Sequence, residues 1–230
     1  MGIERLENTA KYIRGEGAQV LRVAVTHSLA ATLMPPVVKS FKQRFPHVRI
    51  IVHSHRLSQI ILRLQNASVD IAIGAQIPKI PGSVRELIGH VRQVCVVPHQ
   101  HRLAPKEIIR TQDLADENIL RITPDGPASW SEVFKNLEDM NVPFSDTYEV
   151  DTSLTAYSLI AQGLAIGIVE PFSARLWPAG TITSHPFEPK IRTPYYFATH
   201  NRRGLEVERE AFIRLLRRCA TDMIEFETED

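Results

Sequence analysis

The chain has 230 residues, 43% hydrophobic and 23% charged, with a formal net charge of +1. That length suits one large α/β domain or two lobes with separate cores. A surface so close to neutral excludes a broad field for gripping phosphate backbones, so this chain by itself is not expected to bind DNA well.

In chain order, Ile3, Leu6, Ala10 and Ile13 recur at helical spacing among charged residues, and Gly15 and Gly17 end the pattern. A short amphipathic helix without a partner in its own sequence reads as the tail of a longer element, or as a helix that pairs with another chain. Leu21, Val23 and Val25 then alternate as a strand does. After Thr26-His27-Ser28 the spacing predicts one helix carrying Leu29, Leu33, Val37, Phe41 and Phe45 on one face. "VRIIVHS" reads as a strand, Leu57–Leu64 as a helix, "VDIAIGA" as a strand, and Val91–Val97 as a longer strand closed by Pro98. Such alternation implies helical crossovers and a mostly parallel sheet.

The polar stretch from His99 to Arg110 reads as passage into a second unit. There "NILRIT" and "DTYEV" read as strands. Residues 128–140 form a helix with Trp130, Val133, Phe134 and Leu137 inward, and Thr152–Gln162 a helix stopped by Gly163. "LAIGIVEP", "TITSHPF" and "TPYYFATH" are expected strands, and Glu206–Met223 a closing helix.

Cys95 and Cys219 both sit in apolar runs and read as buried small hydrophobes, a usage that suits a reducing cytoplasm. The start of the chain lacks the apolar segment of a signal peptide, and no stretch approaches the roughly 20 apolar residues of a membrane span. A cytoplasmic location without membrane contact is therefore expected.

Chemistry in open α/β sheets collects beyond the carboxyl ends of the strands, where helix N-termini begin. Four junctions qualify: Thr26-His27-Ser28, Ser54 to Ser58, Thr123 to Ser129, and Val150 to Thr152. Ser28, Ser58 and Thr152 read as N-caps, and capping alone would explain them. Glu170 follows the apolar strand "AIGIV" and precedes Pro171, so it stands at a strand's carboxyl end. A carboxylate there could pair with a ligand ammonium or guanidinium, or equally with a neighbouring Arg. Opposite charges at two ends of a cleft suit a zwitterion, with Ser28 at the carboxylate end and Glu170 at the cationic end.

Enzyme signatures are weak. The pairs His53/His55 and His99/His101 have no third ligand at diagnostic spacing, so no metal is expected. Adjacent His27 and Ser28 lack a nucleophile elbow, and neither a P-loop nor a dinucleotide fingerprint appears. No cofactor is expected.

Three segments carry a family likeness: "LRVAVTHSLAATLMPPVVKSFKQRFPHVRIIV", "LRLQNASVDIAIGA" and "YSLIAQGLAIGIVEPFSA". In order and spacing they resemble the effector-binding domain of LysR-type transcription regulators over about residues 20–224. Asn66-Ala67 replaces the more usual glycine, Ser68 takes the small or charged position, and Ala165 replaces a second glycine. The resemblance implies an α/β, periplasmic-binding-protein-like fold of two Rossmann-like lobes around a cleft. Residues 1–17 would end a linker helix, 18–97 with 188–224 would form lobe I, and 98–187 lobe II. The two crossovers would fall near 95–99 and 185–191.

It further implies a small-molecule effector, dimers of this domain within tetramers of a full-length protein, and DNA binding only through an N-terminal domain not in this chain. The ligand positions carried over are Thr26, His27, Ser28, Leu57, Ser58, Ala75, Thr123, Ser129, Thr152 and Glu170. Leu57 departs from the small or hydroxyl residue common there. "YSLIAQGLAIGIVEPF" is similar to regulators of amino-acid and opine catabolism, which points to an amino-acid-like or opine-like effector. The alternatives are a transporter's periplasmic solute-binding protein, or an enzyme on a two-lobe scaffold such as porphobilinogen deaminase.

Overall fold

The computed structural model describes residues 19–122, 128–145, 147–200, 205–223 and 226–227. The expected linker helix over 1–17 lies outside them. The first unit opens with β1 (Val20–Val25), two helices α1 (His27–Thr32) and α2 (Met34–Arg44), β2 (Arg49–Ser54), α3 (Leu57–Gln65) and β3 (Ile71–Ala75). The single helix expected after Ser28 is broken at Leu33. Pro35-Pro36 supply no N–H to a preceding turn, and a proline is tolerated only in the first turn of a new helix.

β4 (Ser83–Arg92) follows, and β13 (Arg192–His200) and β14 (Phe226–Glu227) return to the same sheet, whose order is β14-β4-β13-β3-β1-β2. Only β2, β1 and β3 are mutually parallel; β13 runs antiparallel to both β3 and β4, and β14 to β4. The mostly parallel sheet expected is therefore mixed. Helical crossovers join β1 to β2 and β2 to β3, whereas β13 enters from the second sheet and runs the other way.

Alternation along β1 feeds two layers. Leu21, Val23 and Val25 face α1, α2 and the closing helix α6 (Glu206–Thr221), packing with Leu29, Val37, Phe41, Phe212 and Leu216. Ala24 faces the other way, onto Ile60 and Leu64 of α3. Each fully buried Leu or Phe contributes about 1.5–3 kcal/mol.

The second sheet contains β5 (Val94–Pro98), β6 (Ile109–Arg110), β11 (Gly167–Val169) and β12 (Ile182–Glu188), in the order β11-β5-β12-β6. Shorter pairs flank it: β7 (Glu117–Asn118) with β9 (Phe144–Ser145), and β8 (Arg121–Ile122) with β10 (Glu149–Val150). Helices α4 (Ala128–Asp139) and α5 (Ser153–Ala161) cover it. Val133, Phe134 and Leu137 of α4 are buried as expected, with Cys95 in the same core; Cys219 is only partly buried.

The strand expected over Val91–Val97 is two strands. Val91 pairs with Thr193 in the first sheet, while Val94 pairs with Pro186 in the second. Between them Gln93 is fully buried, its N–H donating to the Ile191 carbonyl (2.9 Å) and its Nε2 to Thr193 Oγ1 (3.0 Å). The chain thus crosses at Gln93, ahead of the expected 95–99. Residues 94–97 lie with the second sheet rather than with the first. The buried polar groups of Gln93 are satisfied by the returning strand, which fixes the crossing there. One apolar side chain ignores the division: Phe172, just after β11, is fully buried in the first unit's core, edge-on to Tyr195 with ring centroids 5.4 Å apart.

Candidate functional site

A cleft opens where the carboxyl ends of strands from both sheets meet. One wall carries Thr26, His27 and Ser28 after β1, His55, Arg56 and Leu57 after β2, and Ala75 closing β3. The other carries Asp151, Thr152 and Ser153 after β10, and Glu170 after β11, with Tyr195 of β13 between. The cavity is about 70 Å³, room for roughly five waters at the ~10–15 Å³ of such volume each requires.

Of the residues expected from sequence, Thr26, His27, Ser28, Leu57, Ala75, Thr152 and Glu170 are thus brought together. Ser58 is not: it is the second residue of α3 and exposed. Thr123 lies outside the described residues, as does the side chain of Ser129. The capping roles also shift. Thr26 and Arg56, not Ser28 and Ser58, hold the N-cap positions of α1 and α3, and neither makes a side-chain cap bond. Thr152 caps α5 as expected, its Oγ1 accepting from Thr155 N–H at 3.1 Å.

Sequence reasoning missed His55, Arg56, Asp151, Ser153 and Tyr195. Arg56, Asp151 and Ser153 each sit within two residues of a helix start, so a reading of charges as well as hydroxyls at those junctions would have found them. Tyr195 lies mid-strand in "TPYYFATH", opposite Ala75, and carries no local signal.

The chemistry of the first wall is imidazole and guanidinium. His27 Nδ1 lies 2.6 Å from Ser54 Oγ, so His27 is oriented by Ser54 rather than by its neighbour Ser28. Burial holds the His27 ring below its ordinary value; Asp151 opposes that and Arg56 adds to it. Burial likewise lowers His55, helped by Arg63 and the rings of His53 and His27. Two buried polar atoms on this wall, Thr26 Oγ1 and His55 Nε2, have no hydrogen-bond partner. A buried polar group left unpaired costs about 1–3 kcal/mol.

The second wall is acidic, and its two carboxylates differ. Glu170 is 2% exposed. Its oxygens accept from Ser173 Oγ at 2.6 Å and Ser173 N–H at 3.1 Å, with further hydrogen bonds involving the Ser153 side chain and the Phe172 backbone. Burial outweighs those bonds and pushes the carboxyl up to about 7. The Tyr157 hydroxyl also donates to the Glu170 carbonyl, at 2.7 Å. The carboxyl expected to meet a ligand's cationic end, or a neighbouring Arg, is thus hydrogen-bonded within its own chain. Asp151 is the open one: its side chain is 52% exposed, and Oδ2 lies 3.5 Å from Arg56 Nη1 across the cleft. An ion pair so exposed contributes only about 0–1 kcal/mol, so little holds the two charges together.

Comparison with known proteins bears on this arrangement. The family described as LysR substrate binding domain matches residues 14–220. Regulatory protein NocR of Agrobacterium tumefaciens (strain T37) is 27% identical over 198 residues, which are 86% of this chain and 65% of NocR. This chain therefore spans just under two thirds of that relative's length. Among solved structures, the Synechocystis PCC6803 CcmR regulatory domain in complex with 2-PG superposes with a TM-score of 0.75 at 20% identity, over 89% of this chain and 99% of that one. The BenM effector-binding domain with its effector benzoate gives 0.70 at 20% identity, over 92% and 99%. These structures share the two-lobed periplasmic-binding-protein-like fold expected from the sequence. The chain belongs to the LysR substrate-binding domain family.

Proposed function

We propose that the cleft binds a small amino-acid-like or opine-like effector, with Thr26, His27, Ser28, Leu57 and Ala75 on one wall, and Thr152 and Glu170 on the other. The observation that carries this reading is the pair of buried, unpartnered polar atoms, Thr26 Oγ1 and His55 Nε2, on residues lining a cavity that also holds charges of both signs. A polar ligand would supply the missing partners and recover their desolvation cost. The cavity of about 70 Å³ favours the smaller members of that class; a larger opine requires the walls to part.

Binding acts by population shift. The ligand favours one arrangement of the walls, and the change passes to neighbouring subunits of a dimer or tetramer and so to a DNA-reading domain elsewhere in the regulator. A tenfold preference contributes only about 1.4 kcal/mol per site, so several coupled subunits strengthen the response. Such a regulator works in the cytoplasm.

A thermal-shift screen over L-amino acids, N-carboxyalkyl amino acids and aromatic acids tests the reading. A compound that binds only the folded state, at a hundred times its Kd, adds about 2.7 kcal/mol of stability. The expected result is a rise in melting temperature with an amino acid or opine, weakened by Ser28→Ala. A rise confined to aromatic acids would refute the ligand class, and a rise unaffected by Ser28→Ala or Thr26→Val would refute the site.

A further inference from the structure

We infer that Arg56 and Asp151 form a charge clamp that selects zwitterions: the ligand's carboxylate replaces Asp151 at Arg56, and its ammonium replaces Arg56 at Asp151. The inference rests on the cleft being the effector site and goes beyond it by naming the groups that read the two ends of the ligand.

Three observations support it. First, the pair spans the cleft. Arg56 stands at the N-cap position of α3 on the first wall, and Asp151 directly precedes Thr152, the N-cap of α5, on the second. Both residues line the cavity. Second, the two charges are close enough to interact, 3.5 Å apart, yet 40% and 52% exposed. A ligand that matches both can take their places without leaving either one buried and unpaired. A purely anionic ligand would neutralise Arg56 and strand Asp151 beside it; a neutral one would separate the pair and return nothing. The penalty for the wrong ligand is thus built into the pairing. Third, the other carboxylate of the second wall is already occupied. Glu170 has its oxygens on Ser173 Oγ and N–H and is almost fully buried, which leaves Asp151 as the accessible anion for a ligand cation. Arg56 suits the opposite end because a guanidinium meets a carboxylate through two parallel N–H donors.

The clamp also gives ligand binding a structural consequence. The Arg56–Asp151 contact ties one wall directly to the other. A zwitterion inserted between them keeps the tie but lengthens it by the span of the ligand, so the walls move relative to each other.

The test uses the intact 230-residue chain and calorimetric titration of the L-amino acids, each in three forms: free, N-acetylated and C-amidated. Wild-type protein, Asp151→Asn, Arg56→Gln and Thr26→Val are compared. The expected result is that at least one free amino acid binds and that its N-acetyl and amide forms bind tenfold or more weaker. Asp151→Asn should weaken the free form at least tenfold while the N-acetyl form, relieved of the stranded carboxylate, binds more tightly than it does to wild type. Arg56→Gln should likewise weaken the free form at least tenfold, while the amide form, no longer facing an unmatched guanidinium, binds more tightly than it does to wild type. If both charge variants bind the free amino acid within twofold of wild type while Thr26→Val weakens it, the clamp is refuted and the site stands. If none of the three variants changes affinity, the site reading falls with it. Binding only of the N-acetylated forms would overturn the zwitterion assignment outright. Circular dichroism melts of both charge variants, expected to match wild type closely because the pair is exposed, exclude unfolding as the cause.

Discussion

The two walls of the cleft are built from similar strand ends but hold charge differently. On the first wall the polar groups are imidazole, guanidinium and hydroxyl, and two of them, Thr26 Oγ1 and His55 Nε2, are buried without partners. On the second wall the buried acid is fully engaged: Glu170 is held by Ser173, and its exposed counterpart Asp151 reaches out to pair with Arg56. The first wall therefore stores unmet hydrogen-bonding capacity, while the second is internally braced.

The comparison is sharpest where the walls are fastened together. Phe172 grows from the second wall's β11 end but is buried in the first unit's core against Tyr195. Phe172→Ala should cost about 3–5 kcal/mol, lowering the melting temperature by on the order of 10 °C for a chain of this size. If the two units melt separately after this change but together in the wild type, Phe172 is the coupling element. Unchanged single-transition melting would show that the two passages between the sheets, at Gln93 and between β12 and β13, suffice.

The braced acid gives the next largest effect. Burial holds Glu170 at about 7 against its ordinary 4.5. A carboxyl raised in the folded state binds its proton more tightly there than in the unfolded chain. Its stabilising contribution is full below about pH 4.5 and is lost as pH climbs through about 7. At 1.36 kcal/mol per unit the loss amounts to on the order of 3 kcal/mol. Glu170→Gln should remove that slope, so the wild-type minus variant stability should fall between pH 4.5 and 7. A difference that is flat in pH would mean the carboxyl is ionised throughout.

The first wall was more legible in the sequence than the second, for physical reasons. Thr26, His27, Ser28 and Leu57 come just after apolar strands and Ala75 ends one, so the point where each strand gives way to its loop is easy to locate. On the second wall Thr152 and Glu170 could be found in the same way, but not what Glu170 does. Its partner Ser173 comes from a turn that sequence periodicity does not resolve, and burial rather than position decides its charge. The break at Leu33 was foreshadowed by Pro35-Pro36. The split at Gln93 was hidden, because Val91, Val94 and Val96 continue one apolar run across it and only the pairing partners change. Arg56 and Asp151 were overlooked because an exposed charge beside a helix start is common, and only the tertiary fold brings these two within 3.5 Å.

Thr26→Val separates binding from stability. Thr26 Cγ2 packs so close to Gly74 that a Cβ built on that glycine would lie 2.9 Å from it, which pins the side chain. Valine keeps that methyl and replaces the unpartnered hydroxyl with another. Because an unsatisfied buried hydroxyl costs about 1–3 kcal/mol, the variant should be as stable as wild type or up to about 1 kcal/mol more so, while losing effector affinity. A residue kept only for structure would not move these two quantities in opposite directions, and a loss of both would assign Thr26 to the scaffold.

The smallest stability effect falls on the contact that joins the walls. Arg56→Gln removes one partner of an ion pair whose members are 40% and 52% exposed, so chemical denaturation should register a change of about 0–1 kcal/mol. Raising salt to 1 M, where screening extends over only about 3 Å, should reduce even that difference. A larger, salt-independent loss would mean that Arg56 is fixed by packing, and the second wall would then be braced by the first rather than merely facing it. A small, salt-sensitive loss is what the exchange of Asp151 for a ligand carboxylate at Arg56 requires of a wall prepared for binding.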